Sequence, residues 1–149
     1  MILDLSRLKR KGKTEEEFFF EYYPENFSLS LPDSEIVMPV KTEGRITLTG
    51  ERSALIEGEV LFTVKGNCTR CLKETEKVFA IEFSEVCDEE AEGAYKVIND
   101  RINLVPIVEE IITLNTPVSF LCKEDCKGIC QKCGADLNEG DCNCIKEGK

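Results

Sequence analysis

The stretch that organises this chain is Cys122-Lys-Glu-Asp-Cys126-Lys-Gly-Ile-Cys130-Gln-Lys-Cys133-Gly-Ala-Asp-Leu137, which continues to Cys142-Asn-Cys144. Six thiols fall within these 23 residues, and a further C-x2-C pair, Cys68 and Cys71, lies upstream. Two thiolates separated by two residues can bind one tetrahedral Zn²⁺ at about 2.3 Å without backbone strain. Gly134 follows one such pair, where a positive φ lets backbone N–H groups point at sulfur. The pattern predicts a protein organised by zinc.

The nine cysteines divide most simply into two groups of four and one remaining thiol. The predicted metal ligands are Cys130, Cys133, Cys142 and Cys144 in one site, and Cys68, Cys71, Cys122 and Cys126 in the other. Cys87 is left as an ordinary buried thiol. The C-x-C arm at 142–144 is tighter than the usual ligand spacing, which leaves open that one of its thiols is a spectator. We expect one or two structural Zn²⁺, with disulfides as the alternative, because intracellular proteins of hyperthermophiles can carry them.

Length and composition predict one domain with a small appendage. The chain has 149 residues, of which 42% are hydrophobic. We expect a β-rich body over residues 1–121, with one helix near 103–115, and a Cys-rich zinc-binding tail over 122–149. The N-terminus lacks a signal-peptide pattern, and no stretch approaches the roughly 18 apolar residues of a membrane helix. A cytoplasmic protein is therefore expected, in which reduced thiols bind metal.

The charge is uneven along the chain. The net charge is −10, but residues 1–13 carry +4, residues 14–121 carry −13 and the tail carries −1. An acidic body repels phosphate, so a broad nucleic-acid face is not expected. The basic residues that remain as candidates for RNA or partner contact are Arg7, Lys9, Arg10, Lys11, Arg70, Lys123, Lys127 and Lys132. The alternative for the basic arm is a solvated and partly mobile terminus.

Alternation of apolar and polar residues predicts antiparallel strands. The pattern is clearest over 56–64, where Ile56, Gly58, Val60, Phe62 and Val64 share one face, and over 75–86. Cys68 and Cys71 then lie in the loop between two strands. A thioredoxin-like redox pair needs a βαβ setting, so this β–loop–β setting favours metal binding.

The rest of the chain gives weaker signals. We expect strands at 18–23 and 45–49, with a turn at 50–53. Residues 27–31 also alternate. Pro39 reduces 36–40 to a short edge strand, since proline cannot donate to a ladder. Further expectations are an edge strand at 1–8, a charged loop at 9–17 and an acidic loop at 88–93.

One helix is predicted after the strands. Asn103 or Asp100 can cap it, and Pro106 falls in its first turn, where a missing N–H does no harm. The residues that keep an apolar face at helical spacing are Leu104, Ile107, Val108, Ile111, Ile112 and Leu114. Glu109 and Glu110 are expected on the helix surface rather than as an acid/base pair. The fold class is therefore β-rich α+β: an antiparallel sheet or partial barrel, one main helix and the C-terminal zinc-binding tail.

The side chains available for catalysis are few. The chain has no histidine, which excludes Ser–His and Cys–His pairs and mixed Cys/His zinc sites. There is no P-loop, dinucleotide fingerprint or serine elbow. An all-thiolate site closes the metal's coordination sphere and makes the metal structural. We expect a non-enzymatic binding protein without a small-molecule substrate.

The motifs together resemble the YceD-like family of bacterial large ribosomal RNA subunit accumulation proteins. The carrying features are Val64-Lys-Gly-Asn-Cys68-Thr-Arg-Cys71-Leu72, then Ile102 to Pro117, then Cys122 to Asn138. The resemblance implies a role in large-subunit biogenesis and 23S rRNA accumulation, with ribosomal RNA or a large-subunit ribosomal protein as partner. Cys68 and Cys71 correspond to the family's central pair. The Cys-rich tail belongs to only part of the family, so ligation there rests on spacing.

Two functions of different class follow. The first is a ribosome-assembly factor held in shape by zinc, whose acidic body suits a basic ribosomal protein at least as well as bare RNA. The alternative is a zinc store or thiol redox sensor with exposed, reactive thiolates. An ordered body of strands and close thiol spacing favour the first, because a store needs no such scaffold.

Overall fold

The fold is antiparallel and β-rich, with one main helix. The computed structural model describes residues 1–146. The strands are β1 (Ile2–Asp4), β2 (Glu15–Tyr22), β3 (Ser34–Leu48), β4 (Ser53–Asn67), β5 (Glu74–Asp88) and β6 (Arg101–Asn103). The helices are α1 (Leu5–Arg10), α2 (Leu104–Asn115) and α3 (Asn143–Lys146), with one 3₁₀ turn at Gly93–Tyr95. This architecture confirms the predicted fold class.

The main sheet is an open four-stranded meander in the order β2-β3-β4-β5. Its inner face carries the alternating apolar residues predicted for β4, and Ile56, Val60, Phe62 and Val64 are all buried. In β5 the inward residues include Phe83, which is buried, and Phe79, which packs against the core and stacks on Phe62 with ring centroids 5.1 Å apart. Burial of these side chains supplies the main driving force for folding.

Helix α2 supplies the rest of the core. Asn103 caps it by accepting a hydrogen bond from the Val105 amide (3.1 Å). The buried residues are Leu104, Ile107, Val108, Ile111 and Ile112, as predicted. Leu114 is 75% exposed, so its placement on the buried face was wrong: it lies in the last turn, beyond the residues that pack on the core. Glu109 is half-buried and accepts a hydrogen bond from the Tyr22 hydroxyl, while Glu110 is exposed.

The first 17 residues differ from the prediction. The expected edge strand over 1–8 is only the three-residue β1, which pairs with β6. Asp4 then caps α1 by accepting from the Arg7 amide (3.1 Å), and the helix buries Leu5 and Leu8. The expected loop over 9–17 is therefore the end of a helix followed by the start of β2. A capping Asp with leucines three apart is enough to form one short helix against a core.

Residues 27–48 also correct the prediction. The alternating segment 27–31 forms no strand; Leu31 is buried, and Phe27 and Leu29 pack against the core without strand pairing. The strand expected at 36–40 is not short, because it is part of the long β3, but its edge position is confirmed: β2 pairs with β3 only over 40–47, so residues 34–37 pair with β4 alone. The ladder with β4 is irregular between Val37 and Lys41, which is where Pro39 sits. A proline inside a sheet is tolerated at such an irregularity because no ladder N–H is required there.

Two glycines face each other in the middle of the main sheet. Gly44 of β3 pairs with Gly58 of β4. A Cβ added to Gly44 would collide with the Glu57 carbonyl oxygen, and one added to Gly58 would collide with the Glu43 carbonyl oxygen. A groove of about 1070 Å³ crosses all four strands at these two glycines.

None of the helices in residues 1–146 has both the length and the apolar character needed to cross a membrane.

Candidate metal centres

The structure brings eight cysteines into two groups of four. The bridging cluster consists of Cys68, Cys71, Cys122 and Cys126, and the tail cluster of Cys130, Cys133, Cys142 and Cys144. Within each cluster all four sulfur atoms lie within 4.8 Å of one another. This is the division predicted from spacing. Either cluster could hold a metal ion.

The bridging cluster has the dimensions of a tetrahedral thiolate site. The Sγ atoms of Cys68 and Cys126 are 3.7 Å apart, and those of Cys71 and Cys122 are 3.6 Å apart. Four sulfurs about 2.3 Å from a tetrahedral ion are about 3.8 Å from each other. A disulfide requires about 2.05 Å, so these are free thiols. The residues present fit a metal ion.

The loop between β4 and β5 shapes the first half of this cluster. The Cys68 amide donates to the Lys73 carbonyl (2.8 Å) and the Leu72 amide to the Cys68 carbonyl (2.9 Å), which closes a tight turn. Leu72 has a φ of +61° in that turn. The turn aims the Cys71 amide at the Cys68 sulfur (3.5 Å). Burial raises the pKa of Cys68, but N–H groups directed at the sulfur outweigh it and bring the pKa to about 6.

Hydrogen bonds hold the second half of the bridging cluster against this loop. Both the amide and the hydroxyl of Thr69 donate to the Phe120 carbonyl, at 2.7 and 3.2 Å. The Arg70 guanidinium donates to the Cys126 carbonyl (2.9 Å). Phe120 is 1% exposed and anchors the chain immediately before Cys122. These contacts hold the segment that carries Cys122 and Cys126 against the loop that carries Cys68 and Cys71.

Polar side chains of the tail complete the attachment. Lys73 forms ion pairs with Asp136 (2.6 Å) and Glu139 (2.9 Å). The Asn138 amide group donates to the Cys126 sulfur (3.4 Å), and its oxygen accepts from the Lys127 amide (2.9 Å). Asn138 was part of the quoted motif but had no predicted role. Its contact with a sulfur twelve residues earlier depends on how the tail folds back, which spacing alone does not show.

The tail cluster repeats the local geometry of the bridging cluster. The Cys130 amide donates to the Ala135 carbonyl (2.8 Å) and the Gly134 amide to the Cys130 carbonyl (2.9 Å). Gly134 has a φ of +73°, as expected from its position after the second thiol. The Lys132 amide points at the Cys130 sulfur (3.4 Å). Backbone N–H groups of Cys133 and Lys132 lower the pKa of Cys130 to about 6.

The two arms of the tail cluster differ in exposure. Cys142 is buried, Cys144 is half-buried and Cys133 is exposed. Both thiols of the C-x-C arm place their sulfur in the cluster, so the tight spacing does not separate them.

Cys87, outside both clusters, is fully buried in the core, and this burial raises its pKa to about 11.

The basic residues predicted for RNA or partner contact do not form one surface. Arg7, Lys9, Arg10 and Lys11 lie on α1 or at its C-terminal end, and Lys9 contacts the Glu51 carbonyl in the turn before β4. Arg70, Lys123, Lys127 and Lys132 lie beside the cysteine clusters, beyond the far end of β4. The 15 residues of β4 separate the two groups, a contour length of about 45 Å. Three of the predicted residues are engaged in ion pairs: Lys9 with Asp100 and Lys11 with Glu16, both at 3.0 Å, and Lys123 with Asp125 at 3.9 Å.

Comparison with known proteins places these clusters in a family. A family model described as "Large ribosomal RNA subunit accumulation protein YceD" matches residues 56–149. The chain belongs to the YceD family. The matched region begins in β4 and includes α2 and both cysteine clusters, so the part of the YceD chain that carries the family signature also carries all eight clustered thiols.

Individual relatives are more distant. An uncharacterized protein of Mycobacterium bovis is 26% identical over 147 residues, covering 92% of this chain and 70% of the relative. A Mycobacterium tuberculosis protein, also uncharacterized, matches to the same extent. The chloroplastic "Large ribosomal RNA subunit accumulation protein YCED homolog 1" of Arabidopsis thaliana is 35% identical over 49 residues, 33% of this chain and 15% of the relative. No solved structure matches the chain.

Proposed function

We propose that this YceD family member is a non-enzymatic factor of ribosome biogenesis that supports accumulation of 23S rRNA in the large subunit. The observation that carries the proposal is the family match over residues 56–149, which includes both cysteine clusters. Its partner is ribosomal RNA, a ribosomal protein of the large subunit, or both. We place the protein in the cytoplasm, where ribosomes assemble.

Two structural Zn²⁺ ions, one in each cluster, complete the proposed protein. Thiolate donors at tetrahedral spacing select Zn²⁺ over hard cations such as Mg²⁺ and Ca²⁺. Four protein ligands leave no open position for a substrate or water, so zinc bound here would be structural rather than catalytic. The bridging cluster takes two ligands from the body (residues 1–121) and two from the tail (122–149). Zinc in it would therefore join these two proposed parts.

Burial of the thiols weighs against a zinc store or redox sensor. Cys68, Cys71 and Cys126 are 0%, 5% and 2% exposed. A store needs metal that exchanges readily, and a sensor needs an accessible reactive thiolate. The bridging cluster offers neither, and Cys133 of the tail cluster is the one exposed thiol among the nine, all of which lie in the described residues.

The test is complementation in a bacterial strain that lacks its own YceD family member. Expression of this chain should restore the ratio of 23S to 16S rRNA and place the protein with large-subunit precursors in a sucrose gradient. A variant with all four bridging cysteines changed to serine is the matched loss-of-zinc control and should fail. An unchanged 23S deficit, with the wild-type chain folded and carrying zinc, would refute the proposed function.

A further inference from the structure

The groove across the main sheet is lined by negative charge. Three consecutive residues of each strand form its walls, with Gly44 and Gly58 at the centre. Five of the lining residues are glutamates, Glu17, Glu43, Glu57, Glu59 and Glu82, and one is basic, Arg45. Its lining therefore has a net charge of −4. None of these residues belongs to the cysteine clusters or to a predicted contact site.

Strand pairing places three of the glutamates directly beside one another. Glu43 of β3 pairs with Glu59 of β4, and Glu59 pairs with Glu82 of β5. Like charges directly opposite on neighbouring strands destabilise a sheet. Among the described side chains, those of residues 1–144, no ammonium or guanidinium group lies within 4.0 Å of any of the three carboxylates. Arg45 is instead shared between Glu15 (3.8 Å) and Glu17 (3.5 Å).

The same row ends in an exposed aromatic ring. Phe19 of β2 pairs with Glu43, so the row across the sheet reads Phe19, Glu43, Glu59, Glu82. Phe19 is 56% exposed although it is a large apolar side chain. Lysine and arginine combine an apolar stem with a cationic end, and both bind to aromatic faces. A ring next to uncompensated carboxylates therefore suits these two side chains.

We propose that this groove binds a lysine- and arginine-rich segment of a partner protein. The proposal rests on the proposed function, because proteins that bind ribosomal RNA are basic and carry such segments. Nucleic acid is the wrong occupant, since its phosphates would be repelled by the carboxylate row. A cationic segment would neutralise a row that otherwise destabilises the sheet, and sequences commonly break a local rule where a function requires it. Charge complementarity would also speed encounter.

The test compares two triple variants with the same change in net charge. The row variant removes the three paired carboxylates by the substitutions Glu43→Gln, Glu59→Gln and Glu82→Gln. The matched control is Glu90→Gln, Glu92→Gln and Glu124→Gln, three exposed glutamates outside the groove. The probe is a fluorescein-labelled dodecapeptide of lysine and arginine with one central phenylalanine, titrated by anisotropy at about 0.15 M salt. We expect the row variant to weaken binding by about tenfold or more, and the control by less than about twofold.

A third variant tests the aromatic contact without changing charge. Phe19→Ala should weaken peptide binding by about threefold or more, which a diffuse charge effect would not do. Loss of folding is not expected in the row variant, because glutamine removes repulsion between strands; its melting temperature should equal or exceed that of the wild type.

Several results would overturn the proposal. These are equal weakening by the two triple variants, no saturable binding of the peptide, saturable binding of a labelled RNA dodecamer that the row variant abolishes, or a self-associated chain that the row variant dissociates. The complementation assay separates this proposal from the proposed function. If 23S rRNA is restored while the peptide binds all variants alike, only the groove proposal fails. If the peptide requires the row but 23S rRNA is not restored, only the proposed function fails.

Discussion

The bridging cluster and the tail cluster use the same turn for different purposes. In both, the backbone amide of the first cysteine of a C-x2-C pair donates a hydrogen bond to the carbonyl five residues later, at 2.8 Å. The carbonyl of the same cysteine accepts a hydrogen bond, at 2.9 Å, from the amide of the residue that follows the second cysteine. In both, that residue has a positive φ, Leu72 in one and Gly134 in the other. The turn that positions the sulfur atoms of each C-x2-C pair is therefore the same whether the other two cysteines of the cluster are near or distant in the sequence.

The clusters differ in the separation of their ligands along the chain. Cys68 and Cys126 are 58 residues apart, whereas the tail cluster lies between Cys130 and Cys144. Joining distant residues constrains the unfolded chain more than joining near ones, although the effect grows slowly with loop length. The bridging cluster is also the more buried of the two. We therefore expect it to control global stability, and the tail cluster to control only local order.

The largest effect is expected from Cys68→Ser. Loss of a ligand from the bridging cluster should remove one of two zinc ions, free the tail for proteolysis and lower the free energy of unfolding by more than about 4 kcal/mol. Cys144→Ser, its matched control, should also remove one zinc but leave the segment around Phe120 protected. Zinc content, limited proteolysis and urea unfolding measure these outcomes. If both variants released the tail equally, the proposal that the bridging cluster joins the tail to the body would be contradicted.

A chelator should empty the two clusters in order. The tail cluster, with its exposed Cys133, should release zinc at least about ten times faster than the bridging cluster, because ligand exchange needs access to the metal. A coloured chelator that reports free zinc would show two phases of equal amplitude. Cys144→Ser should abolish the fast phase and Cys68→Ser the slow one. A single phase in the wild type would mean that the clusters are not distinguished by burial.

Gly134→Leu should weaken the tail cluster selectively. A φ of +73° costs a side chain about 1–2 kcal/mol, and no atom lies within 4 Å of an added Cβ, so the cost is conformational rather than steric. The matched control is Gly12→Leu, since Gly12 also has a positive φ and open space but lies far from both clusters. Gly134→Leu should speed zinc loss from the fast phase, and Gly12→Leu should not. Identical effects on zinc release would show that the turn at Gly134 does not shape the site.

Local signals in the sequence predicted much of the site. Spacing predicted the two C-x2-C turns, because two residues between ligands define a turn whose geometry is local, and the simplest division of the cysteines into fours gave the two groups that the structure brings together. Helix α2 was predicted from apolar spacing and its Asn103 cap for the same reason. The loop position of Cys68 and Cys71 followed from alternation on both sides of it.

What the sequence did not predict depends on pairing between distant strands. Pro39 correctly indicated an edge, since β2 pairs with β3 only from Val40 onward, but it did not show that this segment continues into the central part of the long β3. Glu43, Glu59 and Glu82 each looked like the solvated face of its own strand, and only the register brings the three together. Cross-strand neighbours are set by the whole sheet, so no window of sequence contains them.

The smallest effect is expected at Leu72, which occupies the position in the turn of the bridging cluster that Gly134 occupies in the turn of the tail cluster. Leu72 has a φ of +61° and is 62% exposed, so removal of its side chain should cost little packing energy. Leu72→Gly should relieve about 1 kcal/mol of backbone strain, but glycine also increases the freedom of the unfolded chain by a similar amount, leaving a gain of at most about 0.5 kcal/mol. Leu72→Asn tolerates the same φ without that entropy and should gain slightly more, whereas the β-branched Leu72→Val should lose stability. Urea unfolding of the three zinc-loaded variants would measure this order. If valine were as stable as asparagine, strain at Leu72 would not distinguish the two turns, and the leucine would have to be explained by a contact outside this chain.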